Sequence, residues 1–450
     1  MLNRTLLLTL LGLVVFTTVA AAAPGYVLTP KVVPVQVEVA LTIAPEAGAT
    51  PLQEETEYAV QVVPMEGKTA KGTTKAATKL QVKPSEGLLR LRHTFEAEQE
   101  YTIVVTGEEP VRKVGAYRVY ALEPDLFERR PYKGDVHQHS TQSDGRESPA
   151  RVPAHNRKVG MDFMALTDHR KHSGSMEAIA AWEGLAVDLR IYPGEEVHPV
   201  GTYMHIVNFG GREGVTQRFQ QPAYLQEVER VSQTVQDLPE GLSPQLYASC
   251  VVTSRMIREV GGLSVYCHPY WVTGNAYHSP EALIERLLAD QVFVAYEMIG
   301  GDAGTNWLSA ARYYEAVARG YKVPIVGVTD CHTVTKGDRY TLAFSKSLDL
   351  ADLQEAIADM YAVAVERVPG TSMSRPYGPL RLVKYAIFLL REVLPTHDAL
   401  CAEEGALMAA HLDGEAAAAG KLRDFQGRTA KLYERLWAPQ AASVQSADGA

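Results

Sequence analysis

The chain has 450 residues, long enough for two or three domains, and its 46% hydrophobic and 22% charged residues exclude the disordered classes. Its 44 Lys and Arg against 53 Asp and Glu leave a formal net charge of −9. That balance excludes sequence-independent nucleic-acid binding, because no basic excess exists to neutralise phosphates.

Residues 1–23 have the make-up of a secretory signal peptide: Arg4, an apolar stretch from Leu6 to Phe16, and the small residues Ala20-Ala21-Ala22. Cleavage is expected before Ala23, giving a periplasmic or extracellular (secreted) protein without stable membrane insertion. The competing reading is an uncleaved anchor, for which the apolar core is short against a span of about 20 residues. The chain has four cysteines, Cys250, Cys267, Cys331 and Cys401. An exported protein of this size with so few does not rest on a disulfide framework.

Residues 24–125 read as β structure. Val33, Val35, Val37, Val39, Leu41 and Ile43 alternate with other residues, the period of one half-buried strand. Further strands are expected over Glu57–Val63, Lys79–Val82, Leu88–Phe95, Tyr101–Thr106 and Tyr117–Leu122. Short strands at this spacing predict a small all-β sandwich, Ig-like in type.

From about residue 130 to 370 strands and helices alternate. Strands are expected at Asp162–Leu166, Arg190–Tyr192, His205–Phe209, Leu263–Tyr266, Val292–Tyr296, Val323–Val328 and Thr341–Phe344. Helices are expected at Pro149–Val159, Tyr224–Val235, Pro280–Ala289, Leu308–Ala318 and Leu350–Met360. Repeated βα units predict an α/β domain, a parallel sheet or barrel with helices outside. Gly211–Pro244 is long for a connection and is a candidate lid or substrate loop. Residues 375–437 read as a helical C-terminal extension whose apolar Leu380–Leu394 docks on the barrel. Residues 438–450 read as a disordered tail.

The informative feature is an ordered series of metal-ligand residues. His137-Gln138-His139 and Asp144 come first, then Asp168-His169, Glu195-Glu196, His205, His268 and Asp330-Cys331-His332. Several end an apolar run, and parallel barrels collect their chemistry at such strand ends. His137 and His139 share a face of an extended segment and can reach one metal, as can Asp330 and His332. Asp168 and His169 face apart, so His169 is the expected ligand and Asp168 the group that positions a histidine. Cys267 and Cys331 read as small buried apolar residues. The donors exceed what one metal needs, and they point to a hydrolase with several ions.

These motifs resemble those of the PHP (polymerase and histidinol phosphatase) superfamily. Lys133–Gly145, Ala165–His169, Gly194–Glu196, His268-Pro269 and Asp330–His332 match its motifs in order. The export signal and leading β domain make the chain most similar to the CehA/McbA-like metallohydrolases. The resemblance implies a distorted (β/α)7 barrel and a trinuclear site holding Mn, Fe or Zn. The ligands it implies are His137, His139, Asp144, His169, Glu196, His205, His268, Asp330 and His332, with His198 competing for the place of His205. Glu297 is a candidate for supporting a ligand.

Three divalent ions bring six positive charges, and three ligand carboxylates offset half of them. Such a site draws an anionic small-molecule substrate and lowers the pKa of bound water toward about 7. A metal-bridging hydroxide would then cleave a phosphoester. The alternative is a carboxylic ester, carbamate or amide cleaved at carbon; a non-catalytic binding module is disfavoured by the intact ligand series. Many phosphatase-like relatives carry an arginine after the third-motif His-Pro, where this chain has Tyr270-Trp271. Arg170 and Lys171 are candidate substitutes as phosphate clamps, and Tyr270 and Trp271 could line an apolar pocket. His172 is a candidate general acid.

Overall fold

A computed structural model describes residues 25–68, 77–107, 114–368 and 370–439. The expected signal peptide and residues 440–450 of the expected tail lie outside them. The chain divides into two compact units.

The first unit takes in residues up to Pro30, Glu38–Thr94 and Glu100–Val119. Its Glu38–Pro45 strand pairs antiparallel with Tyr26–Thr29 on one side and Leu89–Thr94 on the other. Tyr58–Pro64 lies antiparallel between Thr78–Val82 and Gln99–Thr106. Three of these strands bury alternate residues: Val39, Leu41 and Ile43; Tyr58, Val60 and Val62; Tyr101, Ile103 and Val105. The period-two pattern therefore builds half-buried strands, as their sequence dictates. The alternation from Val33 to Ile43 is not one strand, however. It breaks into Val32–Pro34 and Glu38–Pro45, because Gln36 takes φ +58 and turns the chain. Side-chain alternation carries no record of such a reversal.

The second unit holds Lys31–Val37, Phe95–Gln99 and everything from Tyr120 onward. Its strands form two mixed sheets. One has six strands in the order Arg190–Tyr192, Phe163–Ala165, Arg130–Asp135, Arg339–Ser345, Ala362–Arg367, Ser374–Tyr377. The other has five, in the order Gly194–Val197, Ile206–Phe209, Leu263–Tyr266, Ala295–Ile299, Ile325–Gly327. Phe163–Ala165 runs parallel to both its neighbours, whereas Arg339–Ser345 runs antiparallel to both of its own. Gly194–Val197 and Ile206–Phe209 are likewise antiparallel. Among the described residues the strands do not close into one parallel ring. Apolar runs specify strands but not their direction: Gly194–Val197 returns directly into Ile206–Phe209, whereas Arg339–Ser345 reaches its antiparallel neighbour Ala362–Arg367 through the helix Leu350–Ala358.

Gly211–Pro244 is not an open lid. It contains a 3-10 turn, Thr216–Gln220, and a helix, Pro222–Ser232. Tyr224, Val228 and Val231 of that helix pack with Val197, Ile206, Val252 and Ile257 in a shared core. The helix Pro244–Glu259 is one that the apolar spacing did not bring out. Its start is written in Ser243-Pro244: the Ser243 hydroxyl accepts from Leu246 N, and proline occupies the first turn.

The C-terminal helices Leu380–Glu392, Leu394–Leu412, Ala418–Phe425 and Arg428–Leu436 belong to this unit. Leu380–Glu392 buries Leu382, Tyr385, Phe388 and Leu389, and the Tyr385 ring stacks on Phe344 at 5.3 Å. No helix among the described residues is long and apolar enough to cross a membrane. A buried charge network ties Leu394–Leu412 to Arg151–Lys158. Arg157 donates to Glu404 at 2.6 Å and to Asp162 at 2.9 Å. His397 bonds Asp162 at 2.8 Å and Asp398 at 3.0 Å. Lys133 closes it on Asp398 at 2.9 Å.

Candidate metal centre

The site lies in the second unit, where strand ends and following loops converge. His137–His139 leaves the strand Arg130–Asp135 and is zipped to Asp330–His332. Asp330 N donates to His137 O, and His139 N donates to Cys331 O, each at 2.9 Å. Period two then decides which side chains face inward. His137, His139, Asp330 and His332 face the centre. Gln138 faces away and pairs with Asn156 at 2.8 Å, and the Cys331 thiol turns to Thr333 O at 3.0 Å. Gly145 is fixed by space: a Cβ there would lie 2.5 Å from the His139 carbonyl.

Glu196 stands at the middle with no solvent exposure. Its Oε1 lies 2.8 Å from His205 Nδ1, 3.2 Å from His268 Nε2 and 3.5 Å from His137 Nε2. Its Oε2 lies 2.5 Å from His169 Nδ1, 3.5 Å from His139 Nε2 and 3.8 Å from His198 Nε2. Asp330 Oδ1 adds contacts of 3.3 Å to His137 Nε2 and 3.0 Å to His139 Nε2. Asp144 reaches His332 at 3.3 Å and His169 at 3.5 Å. All nine residues singled out as ligands by the motif resemblance are thus in one cluster. The competing His198 is there too, its ring stacked on His205 at 3.8 Å.

Burial alone would raise the Glu196 carboxyl, but the His137 charge and the close approach of His137, His169 and His198 outweigh it and hold the group well below the carboxylate range. Burial pulls His137 down, and the charges of Asp330, Cys267 and Glu196 more than reverse that. His198 is pushed down to about 4, chiefly by burial.

Cation binding is supported by polar atoms left over. His137 Nε2, His205 Nδ1 and Glu196 Oε2 are buried without a hydrogen-bond partner. His137 Nε2 and His205 Nδ1 sit within ion-pair distance of Glu196 Oε1 yet make no hydrogen bond. A native interior rarely leaves such groups unpaired, and lone pairs converging on a common point are what metal ligation requires. Donor sets with mutual distances within 4.8 Å include His139, Asp144, His169 and His332; His169, Glu196, His198 and His205; and His137, His139 and Asp330. Imidazole and carboxylate together suit Mn, Fe or Zn. Two residues here also carry unusual backbone: His268 has φ +23 and Asp330 φ +50. Each such conformation costs about 1–3 kcal/mol and persists where its surroundings enforce it.

Supporting bonds aim the ligands. His137 Nδ1 donates to Glu297 Oε2 at 2.9 Å, and His332 Nδ1 donates to the Asp330 carbonyl at 3.0 Å. Both leave Nε2 free to face the centre.

Two expectations are corrected. Asp168 holds no histidine: it accepts from Ser140 N at 2.7 Å, Ser140 Oγ at 2.7 Å and Ser143 Oγ at 2.6 Å. Facing away from His169, it anchors the loop between His139 and Asp144. His172 also stands outside the cluster, with its Nε2 donating to the Gly211 carbonyl at 2.9 Å. Tyr270 is buried, its hydroxyl donating to Glu281 at 3.0 Å, and with Trp271 it lines a small cavity beside His268, Glu297 and Asn306, as expected of a pocket residue. Of the two proposed clamps, Lys171 donates to the Gln142 carbonyl, and Arg170 is exposed beside His169 with φ +57. Trp271 is 41% exposed, with its ring 5.4 Å from His268 and 6.1 Å from His205. Cys267 is buried among Val136, Val265 and Val328 and also lies within ligand distance of His137, Glu196 and His268.

One residue at the site escaped sequence reasoning. His278 is buried, its ring 4.9 Å from His205 and 5.4 Å from His268. The signal was a hairpin. Val272–Thr273 pairs with Ala276–Tyr277, and Gly274 at φ +54 and Asn275 at φ +69 make the turn. Positive φ at both turn residues is the signature of the tight hairpin, and it returns His278 toward His268.

No family model and no curated protein matches the chain. Solved structures similar to it include a two-domain protein from Bacteroides vulgatus ATCC 8482 containing a predicted PHP-like metal-dependent phosphoesterase, at 16% identity and TM-score 0.37. That match covers 54% of this chain and 66% of the other, just under two thirds of its length. A candidate metal-dependent phosphoesterase from Bifidobacterium adolescentis matches at 21% identity and TM-score 0.32, over 45% of this chain and 88% of that one. An amidohydrolase from Chromobacterium violaceum, with bound sulfate and no metal, matches at 21% identity and TM-score 0.31, over 44% and 87%.

Proposed function

We propose that the chain is an exported, metal-dependent hydrolase of the PHP type that cleaves a phosphoester. The observation that carries this reading is Glu196: a fully buried carboxylate ringed by six imidazoles and left with an unpaired oxygen. The overlapping donor sets offer places for more than one ion, and Glu196 belongs to two of them. Divalent metals, when bound, supply an acidified water as nucleophile and a positive field on the substrate oxygens. The chain supplies the rest. Glu297 and the Asp330 carbonyl orient His137 and His332, Asp168 fixes the loop that carries Asp144, and Arg170 binds a phosphate oxygen at the rim. Residues 1–23 support export to the periplasm or beyond, and a small anionic molecule suits the excess positive charge of the loaded centre.

A second reading, hydrolysis of a carboxylic ester, carbamate or amide, is favoured by Trp271, an exposed aromatic ring at the rim where a phosphate-binding cation would help more. A screen of the metal-reconstituted protein against phosphoesters, carboxylic esters and carbamates decides between them. On a phosphoester, Arg170→Ala is expected to keep its metal and raise KM by about tenfold, the equivalent of about 1.4 kcal/mol of binding. On a neutral ester the same change does little and Trp271→Ala weakens binding. Unchanged kinetics of Arg170→Ala on a confirmed phosphoester would remove the clamp.

A further inference from the structure

A ligand histidine is aimed by what its second ring nitrogen bonds to, commonly a carboxylate, a carbonyl or a water. His137 has Glu297 for this, and His332 has the Asp330 carbonyl. His268 has nothing of the kind. Its Nε2 faces Glu196 at 3.2 Å, and its Nδ1 is buried with no partner. Beside it His278 presents a mirror-image deficit: its Nε2 is buried and equally unpaired. One ring nitrogen from each of His205, His268 and His278 lies within 4.8 Å of those of the other two.

We propose that His278 is the positioning residue for His268, accepting the Nδ1 proton of His268 at its own Nε2, directly or through one water. The inference rests on the metal-centre reading and adds a residue that the motifs do not contain. A neutral imidazole has one acceptor and one donor nitrogen, so the pair satisfies both orphans with a single bond. The backbone holds His278 ready for this. His278 N donates to Trp271 O at 2.6 Å, and Ser279 N donates to Pro269 O at 3.1 Å, which pins both ends of the hairpin to the segment that carries His268. His278 therefore bonds no substrate; it keeps Nε2 of His268 directed at the centre.

The test uses the full chain as wild type, His278→Phe and His278→Gln. Phenylalanine keeps the ring and loses the acceptor; glutamine keeps an acceptor. Each metal-stripped protein is titrated with Zn2+ against a chromophoric chelator, and its melting is recorded. The expected result is a loss of metal affinity of about 10–100-fold in His278→Phe, with unchanged melting of the stripped protein and most of the affinity retained in His278→Gln. If wild type itself takes up no Zn2+, the metal-centre reading falls. If wild type binds and His278→Phe binds as tightly, the centre stands and the role of His278 is overturned. Equal losses in both variants also overturn it, because shape and not the acceptor then matters. Should stripped His278→Phe fail to fold, His278→Ala replaces it in the same comparison.

Discussion

Glu196→Gln is expected to strip metal from the centre and reduce hydrolysis by about a thousandfold, the equivalent of ~4 kcal/mol of lost transition-state stabilisation. The side chain keeps its size, so the fold should persist. Its chemistry inverts. Glutamine removes the charge that balances the cations and turns one oxygen, placed 2.5 Å from His169 and 3.5 Å from His139, into an amide donor. An amide N–H aimed at ligand nitrogens competes for the lone pairs the metals need. Elemental analysis beside a steady-state assay reads both effects, and an unchanged melting profile of the stripped protein separates them from misfolding. Full metal content with wild-type turnover would show that Glu196 is not at the heart of the site.

The second large effect concerns stability. Arg157 has no solvent exposure and bonds Glu404 and Asp162. Arg157→Met leaves Glu404 buried without its cation and Asp162 with His397 alone, which costs about 3–5 kcal/mol when one partner of a buried pair is removed. The measurement is the urea midpoint, expected to fall without a change in slope. An unchanged midpoint would contradict it.

His397 gives the same network a pH signature. Burial lowers its pKa, but the Asp162 charge and bonds to Asp162 and Asp398 carry it well above the ordinary 6.5. Its contribution to stability is therefore complete below about pH 6.5 and is lost as pH rises through the folded value. Asp162 acts in the opposite sense. Burial would raise it, yet His397 and Arg157 hold it at about 2. That contribution is present above its ordinary 3.8 and is lost as pH falls through about 2. In His397→Gln the loss of stability above neutral pH should become shallower than in wild type. A parallel alkaline slope in the two proteins would assign the dependence to other groups.

Much of the centre was legible because its residues come as short motifs with a fixed physical meaning. His137 and His139, or Asp330 and His332, share a face through the period of two alone, and the intervening Gln138 and Cys331 turn away as that period requires. Asp168 was misread because facing away from His169 leaves open what it does face; its partners, Ser140 and Ser143, are set by loop closure. His278 depended on a two-residue turn, and His397 on a helix contact more than two hundred residues from Asp162. Neither carries a local periodic signal. Strand positions in the second unit followed their apolar runs to within a few residues, but strand direction did not: a parallel sheet or barrel was expected, and these strands lie in two mixed sheets.

Elemental analysis of the full chain, purified without chelator and assayed in the same preparation, tests the central claim most directly. The metal-centre reading predicts more than one equivalent of Mn, Fe or Zn per chain, with hydrolysis lost on chelation and restored on reloading. A metal-free protein with full hydrolytic activity would contradict it.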